Sequence, residues 1–159
     1  MTRALLTAPR LRDWGEFVIA LVIVAGVAVP AGLATGLLHL APRSAGEIAR
    51  TSLIVLFIPA AGEELPFRAL MIPGRTEPGA AVIPILGSTL AFTAWHVVET
   101  LWQPQHRALF LRPDFLAWAA WLGIWCAILR RRSGSIWTAV TLHWATVVAW
   151  IGWLGGPGF

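Results

Sequence analysis

Six ionisable side chains in three separate stretches could do chemistry. In AAGEELPFRAL, residues 60–70, Glu63 and Glu64 are adjacent and Arg68 follows Glu64 at i+4. In TLAFTAWHVVET, His96 lies one turn after Phe92 and one turn before Glu99. In SGSIWTAVTLHWATVVAW, His143 is the sole ionisable group, with Thr146 and Val147 one turn further on. A carboxylate and two imidazoles suffice to activate a water and stabilise an oxyanion, the minimum for peptide hydrolysis. Two His and a Glu are also a donor set for a divalent metal. No HExxH motif occurs, and spacing alone leaves both chemistries open.

The helical wheel separates the two glutamates. At about 100° per residue, Glu64 and Arg68 share a face with Glu on the N-terminal side, the better order for an ion pair. Glu63 points away and keeps no counter-ion, which suits a general base. Pro66 removes the N–H that would bond the Gly62 carbonyl and loosens the backbone beside Glu63, and Pro59 and Pro73 repeat the break on either side. On the second stretch, Thr89, Thr93, His96 and Thr100 make one polar stripe, and Glu99 is placed to orient the His96 ring. His39 and His106 fall at the ends of apolar runs and read as interfacial.

These groups sit in a chain that reads as membrane. Of 159 residues, 57% are hydrophobic and 13% charged, about half the charge of a soluble domain; mean hydropathy is +0.71. The uncharged run Phe17–Leu40 is long enough to cross a hydrocarbon core of about 30 Å. Further spans are expected at about Ala49–Met71, Ala81–Leu101, Phe115–Leu129 and Ser135–Leu154. The expected fold is therefore all-α, a polytopic membrane helix bundle of about five transmembrane helices. It forms one integral membrane domain over residues 1–159, with residues 1–46 as an arm and first span and residues 47–159 as the helical core. Gly32 and Gly36 form a GxxxG pair, a weak packing signal. The lone Cys126 in an apolar run reads as a buried hydrophobe.

The twelve basic residues are all Arg, scattered between apolar runs rather than gathered in a patch, which argues against a nucleic-acid partner. An inside N-terminus leaves seven Arg on the cytoplasmic segments (Arg3, Arg10, Arg12, Arg75 and Arg130 to Arg132) and four outside (Arg43, Arg50, Arg107 and Arg112). The excess predicts N-in, C-out, with the Arg130–Arg132 triplet as a cytoplasmic stop. Counting the rise per residue from each span end sets His96 deeper than Glu63 and His143. The levels match if the third helix starts near Pro84 and runs past Trp102, with residues 74–83 as a loop or partly re-entrant segment.

Taken together, the three motifs resemble the CAAX protease and bacteriocin-processing family of intramembrane proteases, whose pattern is EExxxR, FxxxH and HxxxN on successive membrane helices. EELPFR supplies Glu63, Glu64 and Arg68; FTAWH supplies Phe92 and His96; SGSIWTAVTLH runs into His143. The resemblance covers about Glu47 to Trp150. It implies a glutamic-type endopeptidase without an obligatory catalytic metal or other cofactor. Glu63 is then the base that activates water, His96 its partner and His143 part of the oxyanion hole, with Glu64 and Arg68 in support. Where the family has Asn in its last motif, this chain has Val147, and it contains no Asn at all. Thr146 offers a hydroxyl at the adjacent position.

The implied partners are the lipid bilayer and a membrane-embedded or lipid-anchored peptide or protein substrate. Prenylated C-termini, bacteriocin leaders and C-terminal sorting tails are all handled within the family. The chain's compactness suggests a multi-pass protein of a prokaryotic cell (inner) membrane. Two other functional classes compete. A catalytically impaired scaffold or partner-binding protein draws support from Val147. A transporter would need a polar track on both sides of the bilayer, which the first and fourth spans do not supply.

Overall fold

The computed structural model describes residues 2–158, whose regular elements are all helices, with no strand among them. A short α1 (Thr2–Leu6) leads into α2 (Leu11–Ala34). The helix begins earlier than the expected Phe17 because Asp13 closes its first turn, accepting from the Arg10 N–H at 2.8 Å. It ends at Ala34, and Gly36 lies beyond it with φ +68°. The GxxxG pair is therefore a helix terminus, not a packing motif. Gly32 instead admits Leu38, whose Cγ would lie 2.5 Å from an added Cβ.

The second apolar run does not form one continuous helix. α3 (Ala45–Val55) starts on a capping box, in which Ser44 accepts from the Glu47 N–H and Glu47 from the Ser44 N–H. Beyond Val55 the winding widens through Leu56–Ala61 and breaks at Ile58, φ −135° and ψ 111°. Ile58 precedes Pro59, and a residue before proline is pushed out of the α region. One tight turn, α4 (Gly62–Glu64), carries both glutamates, and a second wide stretch, Leu65–Leu70, carries Arg68. Pro66 leaves that winding short of a donor.

α5 (Val82–Glu99) carries the FTAWH motif. It stops at Glu99 instead of running past Trp102, tightening into i−3 bonds from Thr100, Leu101 and Trp102 ahead of Pro104. The preceding loop is clamped by Arg131, whose guanidinium donates to the carbonyls of Pro73, Gly74, Glu77 and Gly79. Each member of the arginine triplet has a protein partner, since Arg130 meets Glu77 at 3.6 Å and Arg132 meets Glu16 at 2.7 Å. The Gly74 N–H and the Arg130 charge hold the Glu77 carboxyl below its usual range. The triplet thus organises protein structure as well as adding positive charge.

A short α6 (Arg107–Phe110) precedes α7 (Pro113–Ser133), which packs against α2, α5 and α8 (Trp137–Trp153). Its Leu122, Cys126 and Leu129 meet Ala20 and Val24 of α2 and Ala139 and Leu142 of α8. Gly134 ends α7 at φ +76°, its N–H bonded to Arg130 O at 3.0 Å. Gly134→Ala is expected to destabilise the protein by about 1 kcal/mol through the left-handed backbone that Ala disfavours, read as a lower thermal unfolding midpoint.

The chain between α2 and α3 straps the end of α8. The backbone N–H groups of Ala41 and Arg43 donate to Trp153 O and Gly152 O, and the Arg43 guanidinium donates to Ile151 O and Gly156 O. These bonds satisfy helix-end carbonyls that would otherwise lack partners.

Two helices, Leu11–Ala34 and Val82–Glu99, are long and apolar enough to cross a membrane. Val18, Ile19 and Val22 on α2 and Val82, Ile83, Leu86 and Leu90 on α5 are exposed, while Asp13, Glu63, Glu64, Arg68 and Arg130 are buried. Apolar surface outside and charge inside is the arrangement that suits lipid.

Candidate active site

The site is built on the break in the second run. The α4 turn points Glu64 inward, where its Oε2 lies 3.3 Å from Arg68 Nε with both side chains fully buried. Arg68 also donates through Nη2 to Gly123 O on α7 at 3.2 Å, and its guanidinium carbon lies 4.1 Å from the Phe92 ring centroid. Gly123 allows that approach, because an added Cβ would lie 3.1 Å from both Arg68 Nη2 and Phe92 Cδ1. The ion pair expected from the i,i+4 spacing is therefore present, and it is anchored on two other helices.

Glu64 holds a second partner that the sequence did not indicate. His143 Nδ1 lies 3.0 Å from Glu64 Oε1, across 79 residues of chain. A carboxylate only accepts, so this nitrogen is the donor, and the bond sets the ring's orientation as the aspartate does in a Ser-His-Asp triad. Nε2 then faces Glu63, 3.9 Å from its Oε2. Arg68, Glu64, His143 and Glu63 form a continuous polar chain through the protein.

Glu63 ends that chain on the wall of a cavity. Its Oε2 has no hydrogen-bond partner. Across the cavity, His96 Nδ1 lies 3.0 Å from Phe92 O. A carbonyl likewise only accepts, so Nδ1 carries a proton, and in the neutral form of the ring Nε2 is left bare. This corrects the expected role of Glu99, since the Phe92 carbonyl orients the ring. Phe92 packs edge-on to both imidazoles, with centroids 4.8 Å from His96 and 5.7 Å from His143. Donor atoms of Glu63, His96 and Glu99 all lie within 4.8 Å of one another.

The cavity wall gathers Glu63, Phe92, His96, Glu99, His143, Thr146 and Val147 from the residues singled out above. Glu64 and Arg68 stand behind it. Thr89, Thr93 and Thr100 are not on the wall; the face of α5 that lines it runs Phe92, His96, Glu99 and on to Gln103 beyond the helix end. Thr93 and Thr100 spend their hydroxyls on the carbonyls of Thr89 and Val97, as threonines in apolar helices commonly do. Thr146 is likewise committed, donating to Leu142 O at 2.8 Å, so its only proton points away from the cavity. Val147 adds no donor. His106, expected at an interface, also lines the cavity, with Nδ1 3.0 Å from Gln103 Oε1. Gln103 carried no sequence signal beyond its place on the His96 face.

The remaining wall is apolar and aromatic, including Phe110, Phe115, Trp118 and Trp150. One end thus offers a carboxylate and two oriented imidazoles, and the rest offers space for an apolar chain. Such a wall and polar end suit hydrolysis of an apolar or lipid-bearing peptide.

A family model described as type II CAAX prenyl endopeptidase Rce1-like matches residues 45–149. No curated protein and no solved structure matches the chain.

Proposed function

The chain belongs to the Rce1-like family of type II CAAX prenyl endopeptidases, and on that premise we propose that it is a glutamic-type intramembrane endopeptidase acting on a membrane-associated peptide or protein tail. The observation that carries this reading is the convergence of Glu63, His96 and His143 on one cavity from three separated segments.

In this reading a water sits between the free Glu63 oxygen and His96 Nε2. Glu63 takes its proton as the oxygen attacks the scissile carbonyl carbon. The oxyanion faces His143 Nε2, which donates when the ring is doubly protonated and held by Glu64. Protonated Glu63 then passes its proton to the leaving nitrogen, the C–N bond breaks, and a carboxylate and an amine result. Glu64 and Arg68 position His143 and keep its charge compensated. The aromatic wall takes the apolar part of the substrate.

The surrounding architecture in this reading is a single multi-pass domain with about five spans, N-in and C-out, in a prokaryotic cell membrane. Residues 1–46 form an arm and first span added to the protease core. The start of the family match at Ala45 supports that division, and the arginine bias supports the orientation.

The test is incubation of the reconstituted protein with a prenylated CAAX-type peptide, followed by mass analysis. Release of the C-terminal fragment is expected, and an inserted, folded protein that releases none would overturn the reading. Val147→Asn is a companion test. Loss of one oxyanion donor commonly costs about 100- to 1,000-fold, and the committed Thr146 hydroxyl leaves that position without one. The substitution is expected to raise kcat, with KM little changed. A family member that acts only as a membrane scaffold, the reading Val147 favours, would cleave in neither form.

A further inference from the structure

We propose that Glu63, His96 and Glu99 form a binding site for one divalent transition-metal ion of zinc-like character at the polar end of the cavity. Three observations carry it. The donors converge, with an imidazole nitrogen and two carboxylate oxygens within 4.8 Å of one another.

The second observation is electrostatic. Glu63 is buried and its Oε2 is without a partner. The nearest guanidinium, Arg68, is engaged by Glu64. Among the described residues no Arg forms an ion pair with either Glu63 or Glu99, and the one imidazole beside Glu63, His143 with Nε2 at 3.9 Å, is itself held by Glu64. Two carboxylates at this separation, away from water, repel strongly, and a divalent cation between them offsets both charges.

The third is the outer layer of bonds. A metal-binding histidine usually donates its other ring nitrogen to a carbonyl or carboxylate, and ligating carboxylates are themselves hydrogen-bonded. His96 Nδ1 is bonded to Phe92 O at 3.0 Å, leaving Nε2 free. Glu99 Oε1 accepts from Gln103 Nε2 at 3.3 Å, and Gln103 Oε1 lies 3.0 Å from His106 Nδ1.

The donor set also selects the ion. Calcium takes about six to eight oxygens, more than this site offers, and no thiolate is present to favour a softer ion. Zinc binds one nitrogen and two oxygens at about 2.0–2.2 Å and leaves a fourth position open, which here faces the cavity. Coordination at that distance requires the donors to close in from their present spacing. The functional consequence rests on the hydrolytic reading above. The ion takes the Glu63 oxygen and His96 nitrogen that would hold the attacking water, so it is a reversible inhibitor.

The experiment uses the full chain in lipid nanodiscs, stripped with a chelator and titrated with cobalt(II), then with zinc as competitor. One ion per chain is expected, with the weak visible bands of nitrogen and oxygen coordination and no intense thiolate band. Glu99→Gln and His96→Gln should each weaken binding at least about tenfold, with folding checked by thermal unfolding. Cys126→Ala and His39→Gln should leave it unchanged. The proposal is overturned by a wild-type protein with no saturable binding, by an affinity that both cavity variants retain, or by loss of binding in either control. Because binding is read without substrate, a protein that binds cobalt but cleaves nothing overturns only the hydrolytic reading. Cleavage that persists at full zinc occupancy overturns the inhibitory role.

Discussion

Replacing Glu63 by glutamine is expected to lower the cleavage rate by about 100- to 10,000-fold, the contribution of a positioned general base. The expectation is sharp because the substitution changes so little else. Glutamine has nearly the same shape, and Glu63 Oε2 has no partner to lose. His143 Nε2 lies 3.9 Å from it, and His143 remains held by Glu64 at 3.0 Å. The unfolding midpoint and membrane insertion should match the parent protein. The measurement is single-turnover cleavage of a prenylated peptide by the reconstituted variant. A rate within a few-fold of the parent would remove Glu63 from the base role, leaving His96 as the remaining candidate to accept the water proton.

The second large effect is structural. Arg68→Ala is expected to destabilise the protein by about 3–5 kcal/mol, the usual result of removing one partner of a buried ion pair. Arg68 is fully buried, 3.3 Å from Glu64, and donates to Gly123 O at 3.2 Å. Its removal leaves a carboxylate uncompensated beside His143 and opens a void against Phe92. Activity should fall with stability, because the Glu64 that orients His143 loses its anchor. Arg68→Lys separates charge from shape. It keeps the cation but cannot form the planar contact with Phe92 together with the Gly123 bond, so a smaller loss is expected. Thermal unfolding in a fixed detergent reads both. An Arg68→Ala protein as stable as the parent would show that Glu64 finds its compensation elsewhere.

The local chemistry was legible because it is written in short periods. The i,i+4 spacing of Glu64 and Arg68 placed the ion pair, and the wheel left Glu63 free. Pro59 and Pro66 announced the broken backbone, since proline cannot donate and restricts the residue before it. The extent of the helices was less legible. Apolar runs mark where a chain tolerates lipid, whereas helix ends are set by caps. Asp13 started α2 ahead of its apolar run, and Gly36 stopped it before Leu40. Likewise Glu99, not Trp102, ended α5.

By itself the sequence determined an all-helical chain of membrane character, a family, and the identity of the groups now found around one cavity. Those follow from composition, local spacing and ordered motifs, which are properties of neighbours along the chain. Only the tertiary structure decided how the groups are paired. Glu64 orients His143 from 79 residues away, the Phe92 carbonyl and not Glu99 holds His96, and Gln103 and His106 join the wall. Thr146 turns its only proton back to Leu142. Side chains far apart in sequence acquire a hydrogen-bond partner only when helices pack, because direction and distance between segments are set by the core they share and not by the spacing within each.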